Sequence, residues 1–105
     1  RDELAVAVKT KLSAHFKRNA DWESAVTFWQ EISESGENPV SALRELSMYF
    51  EHKKKDLSEA KRAAEEGLAL AMRGPESLRR DFEKRIDRLN VKIGRNPGAR
   101  GGPAA

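Results

Sequence analysis

The sequence predicts an all-α protein of two helix hairpins closed by a C-terminal capping helix. Three observations carry this expectation. Apolar residues recur at steps of three and four in five separate segments. Between those segments stand residues that start or stop helices: Asp, Asn-Pro and Gly. A block of the sequence also repeats about 34 residues further on. No segment shows sustained alternation of the β type.

Leu4, Val8, Leu12 and Phe16 mark one face of a first helix, from about Asp2 to Arg18. Trp22, Ala25, Val26, Trp29 and Ile32 form the stripe of a second, from about Asp21 to Ser35, with Gly36 as a left-handed stop. Phe28 lies off that stripe; it either packs on the next unit or marks an exposed contact. The third helix starts at Asn38-Pro39, with Asn as cap and Pro in the first helical position. It buries Leu43, Leu46, Tyr49 and Phe50. The fourth starts at Asp56, whose spacing to Glu59 matches a capping box. Leu57, Ala60, Ala64, Leu68 and Ala71 face inward, and Gly74 ends it. The fifth runs from Pro75 to about Ile93 with the narrow stripe Leu78, Phe82, Ile86, Leu89 and Ile93. The loops are short, which forces antiparallel neighbours. Residues 1–93 thus form one helical domain, with units of about 4–36 and 38–73 and a cap over 75–93, and 94–105 is expected as a flexible tail.

One domain is what 105 residues allow. The chain has no cysteine, so disulfides, thiolate catalysis and thiolate metal sites are excluded. That fits a reducing compartment, and a cytoplasmic location is the expectation. No apolar run approaches the roughly 18 residues of a membrane helix, and no signal-peptide pattern opens the chain. Arg1 rather than Met stands first, which predicts a processed product or a piece of something longer. The net charge of +3 is concentrated between Arg73 and Arg100.

The repeat is specific. Leu12-Ser13-x-x-Phe16 recurs as Leu46-Ser47-x-x-Phe50, and Asp21-x-x-x-Ala25 recurs as Asp56-x-x-x-Ala60 one residue later in register. The extra residue falls in the turn, where insertions belong. Phe16, Ala25 and Trp29 place a small residue nine positions after an aromatic and a second aromatic four after that. This pattern resembles the tetratricopeptide repeat, over about residues 5–74, and the resemblance implies that the two hairpins and the capping helix form a right-handed superhelix. The second unit departs from it: Ala64 stands where an aromatic is expected, and the leading tryptophan is absent from both units. Tyr49-Phe50-Glu51-His52, with Asp56 and Ala60, also resembles the helical tail that follows an RNase H-like exonuclease domain in certain bacterial proteins.

The sequence offers no carriers for catalysis, and no enzyme activity, cofactor or metal is expected. His15 and His52 form no metal-type pair. The carboxylates sit beside Lys or Arg on polar faces, the glycines make no phosphate loop, and no serine lies in a nucleophile elbow. The tetratricopeptide resemblance implies a concave groove lined by first helices, and hence a protein or peptide partner in a scaffold role. It projects Thr10, Ala14 and Lys17 from the first unit into that groove. From the second unit come Arg44, Met48, Glu51 and His52, with Arg79 and Glu83 from the fifth helix. The alternative is an auxiliary nucleic-acid contact through Lys53, Lys54, Lys55, Arg80 and Arg88 beside a nuclease domain. Self-association is a third reading, and the oligomeric state stays open.

Overall fold

The two repeated turns show how the chain reverses. In the first, the Asp21 N–H donates to the Phe16 carbonyl at 2.8 Å; in the second, the Asp56 N–H donates to the Phe50 carbonyl, also at 2.8 Å. The residue before each Asp is left-handed, Ala20 at φ 58 and Lys55 at φ 62. Each Asp then caps the next helix, accepting from the N–H of Ser24 at 3.3 Å or of Glu59 at 3.0 Å. The additional residue of the second turn is absorbed between Phe50 and Asp56. The capping box is half formed: Glu59 spends its carboxylate on Arg62, at 2.8 Å, rather than on the Asp56 N–H. Asp56→Ala is expected to lower stability by about 1 kcal/mol, as a shift of the urea midpoint; an unchanged midpoint would show the cap to be idle.

A computed structural model describes residues 2–35 and 39–95. It contains α1 (Asp2–Arg18), α2 (Trp22–Glu34), α3 (Val40–His52), α4 (Leu57–Ala71) and α5 (Glu76–Arg95). No strand occurs among the described residues. Gly36, Asn38, the side chain of Leu4 and the tail from residue 96 lie outside them. Pro39 occupies the N-cap of α3 rather than its first turn, and makes no side-chain cap. Proline has no side-chain acceptor, so only its carbonyl serves, taking the Leu43 N–H at 3.0 Å. The fifth helix continues through Gly94 to Arg95, two residues past the expected end.

Each helix packs on the next in the chain. α1, α3 and α5 lie side by side in one layer, tied by Lys17–Glu45 at 2.9 Å and Arg44–Asp81 at 3.4 Å. α2 and α4 form the other layer, separated by a crevice floored by Leu43, Leu46 and Phe50 of α3. Two apolar clusters fill the interior. One joins α2 and α3 through Ala25, Trp29, Ile32, Leu43 and Leu46; the other joins α4 and α5 through Leu57, Ala60, Ala64, Phe82 and Leu89. Small residues permit the close contacts. Ala25 and Ala60 are fully buried, and the Ser47 hydroxyl donates to the Ala60 carbonyl at 2.9 Å across the second hairpin.

The first helix departs from its expected face. Val8 and Leu12 are 49% and 38% exposed, while Ser13 is buried. Of the expected stripe, Phe16 does reach α2, stacking on Phe28, and Lys9 beside it pairs with Glu31 of α2 at 3.1 Å. Phe28 is half-buried and stacks on Phe16 within the first hairpin, ring centroids 5.8 Å apart and nearly parallel.

Candidate functional site

A cleft opens between α1 and α3 with α2 as its floor. Thr10, Ser13, Ala14, Lys17 and Arg18 line one wall, Ser41, Ala42 and Glu45 the other, and Trp22, Trp29 and Ile32 the bottom, around about 630 Å³. The walls stand apart because α1 and α3 both pack on α2 and meet each other mainly through Lys17 and Glu45. A second hollow of about 170 Å³ continues the cleft toward the α3 C-terminus, sharing Lys17, Trp22, Trp29 and Glu45 and adding Met48, Tyr49, His52 and Lys53. Both tryptophans of the chain therefore line one groove.

The groove is apolar below and cationic at the rim. Trp22 is half-buried, tilted against Tyr49 at 6.1 Å, and carries the Lys53 ammonium 5.1 Å from its ring centre. Lys17, Arg18 and Lys53 face one carboxylate, Glu45, which Lys17 already holds. Such a surface suits an apolar anchor flanked by polar or acidic groups.

Five of the nine residues projected into the groove from sequence line it: Thr10, Ala14, Lys17, Met48 and His52. Arg44 and Arg79 do not. Arg44 pairs with Asp81 and Arg79 with Glu76, both outside the cleft. Glu51, projected into the groove, is fully buried against α5 instead. Trp22, Trp29 and Glu45 were missed as groove residues, because an aromatic at helical spacing looks like core whichever side of the helix layer it reaches.

Lys53, Lys54 and Lys55 are exposed in the turn after α3, but Arg80 and Arg88 are engaged. Arg80 pairs with Glu76 at 3.2 Å. Arg88 grips Glu51 with two hydrogen bonds, at 2.7 and 3.2 Å, and Lys92 adds a third at 2.5 Å. Burial alone pushes the Glu51 carboxyl up; the hydrogen bonds from Arg88 and Lys92, with the charges of Arg88 and His52, outweigh it and hold the group at about 2. The His15 ring lies edge-on to Phe16 at 5.4 Å, and exposed His52 approaches Glu51 at 3.4 Å. No three His, Asp or Glu side chains converge as a metal site would among the described residues. No helix there is long and apolar enough to cross a membrane.

No family model matches the chain, and no solved structure matches it. The chain is similar to the uncharacterized protein YprB of Bacillus subtilis (strain 168), 34% identical over 91 residues. That match covers 85% of this chain and 20% of YprB, so the chain spans about a fifth of the length of the relative it resembles.

Proposed function

We propose that this chain is a non-catalytic, tetratricopeptide-like binding module of a longer bacterial protein, and that its α1–α3 groove takes a peptide or helix of a protein partner. The observation that carries this reading is the groove itself. Two first helices of a repeated hairpin stand apart over a floor holding both tryptophans, with an adaptable Met48 at one end. The duplicated turns and the pair of buried small residues, Ala25 and Ala60, support the repeat architecture. The greater length of YprB supports a place within a larger protein.

The test is selection of a displayed random-peptide library on the immobilised chain and on an Ala14→Arg variant. Ala14 is exposed on the groove wall, so the substitution fills the cleft while costing within about 0.5 kcal/mol of stability. Enrichment of an apolar-anchored consensus on the wild type alone is the expected result. Equal enrichment on both surfaces overturns the groove.

An auxiliary nucleic-acid contact is the second reading, favoured by the exposed Lys53-Lys54-Lys55 turn. Arg80 and Arg88 weigh against it, because carboxylates already hold them. Titration with single-stranded and duplex RNA and DNA across a salt series decides it. Three phosphate contacts would give a log–log salt slope of about −2 to −3; no binding at low ionic strength removes the reading.

A further inference from the structure

We propose that the seam between α3 and α5 is a binding site for one oxyanion group, a carboxylate or a phosphate, received by Arg85. The site is separate from the α1–α3 groove, and its failure would leave the groove reading untouched.

Arg85, Arg88 and Lys92 recur at helical steps on α5 and all turn toward Glu51 of α3. Three permanent cations thus meet one carboxylate. That carboxylate is nearly saturated. Oε1 accepts from Arg88 Nη2 at 2.7 Å, and Oε2 accepts from Arg88 Nε at 3.2 Å and Lys92 Nζ at 2.5 Å. His52 Nε2 stands 3.4 Å from Oε1. Arg85 is left over. Its Nη1 stops 3.8 Å from Glu51 Oε1, beyond hydrogen-bond distance. Its Nε is buried and meets no acceptor among the described residues. The residue is only 7% exposed.

Asp81 and Glu51 give Arg85 favourable charge, which burial outweighs, and neither supplies its Nε with a hydrogen bond. Asp81, one turn earlier on α5, faces Arg44 at 3.4 Å, and its buried Oδ2 makes no hydrogen bond. Arg44, Arg85, Arg88 and Lys92 therefore surround two carboxylates, leaving an excess of two positive charges at one seam. Burying a guanidinium without acceptors is costly, and a structural pairing would need only one cation per carboxylate. A guanidinium fork is shaped for the paired oxygens of a carboxylate or phosphate. The seam is also reachable. The side chains of Arg44 and Arg88 are 51% and 47% exposed, so the seam meets solvent beside the buried Arg85.

The experiment follows the Arg85 and Arg88 Nε–H resonances of the 105-residue chain by NMR, that of Arg88 alone in the Arg85 variants. Inorganic phosphate, and separately acetate, are titrated against chloride at constant ionic strength and pH 7. A saturable shift beyond that of chloride is expected, with affinity at least tenfold weaker in Arg85→Gln and unchanged in Arg18→Gln, a groove-wall control. If Arg85→Gln does not fold, Arg85→Lys keeps the charge and removes the fork; its expected loss is several-fold. Parallel arms use a phosphoserine peptide and a peptide rich in Glu. Tighter binding of either peptide than of its bare ion identifies a protein-borne group, and equal binding identifies the free ion as the ligand. A shift no larger than that of chloride, or equal affinity in the Arg85 variants, overturns the proposal.

Discussion

Phe82→Ala is expected to lower the unfolding free energy by about 3–5 kcal/mol, a large share of the stability of a chain this size. Phe82 is fully buried in the cluster that joins α4 to α5, with Leu57, Ala60, Ala64 and Leu89 around it. Its ring also rests directly on the backbone of Gly67. A Cβ placed on Gly67 would lie 2.4 Å from Phe82 Cε1 and 2.5 Å from Cζ. Both atoms belong to a caged ring, so neither can yield cheaply. Gly67→Ala should therefore destabilise by about 1–3 kcal/mol through overpacking. Combined with Phe82→Leu, which shortens the side chain at the same contact, Gly67→Ala should cost less than the two single changes together. Urea unfolding followed by helical circular dichroism measures Phe82→Ala and the four chains of the Gly67–Phe82 cycle against one another. Strict additivity would show that the ring and the glycine do not meet.

Glu51 carries the second large effect. Glu51→Ala removes the carboxylate and leaves Arg85, Arg88 and Lys92 facing one another, with an expected loss of about 3–5 kcal/mol. The pH dependence follows from the direction of its shift. The folded carboxyl titrates at about 2, below its ordinary 4.5. Its contribution is therefore fully present above pH 4.5 and drains away as pH falls through 2. Wild-type chain and Glu51→Gln should differ most at pH 7 and converge as pH falls toward 2. A gap that stays constant over that range would mean that Glu51 is not ionised against α5 in the folded state.

The helices were legible in the sequence because their signals are local. The stripes of α2, α4 and α5 place the buried residues where the chain buries them, and Asp21 and Asp56 cap as their spacing implies. What the sequence hid is pairing over distance. Glu51 sits in a Glu-His-Lys-Lys-Lys run that looks solvated, yet its partners lie 37 and 41 residues away. The visible trace was the helical spacing of Arg85, Arg88 and Lys92, which shows a cationic face but not what it meets. Val8 and Leu12 failed for a related reason. Periodicity marks an apolar face without naming the element that covers it, and α2 chose the face containing Ser13. For the groove, the residues that the repeat frame projected and that line the cleft are Thr10, Ala14, Lys17, Met48 and His52. It misassigned Glu51, because a projected position cannot distinguish facing the cleft from facing the next helix.

The emission of Trp22 and Trp29 tests the groove most directly, since the chain has no other tryptophan. A peptide enriched on the wild-type chain is titrated against wild type and Ala14→Arg, with calorimetry alongside. The expected result is a saturable change in tryptophan emission whose midpoint matches the calorimetric one, weakened at least tenfold in Ala14→Arg at unchanged helical content. Calorimetric binding of equal strength in both chains, with no change in tryptophan emission, would contradict a partner seated between α1 and α3.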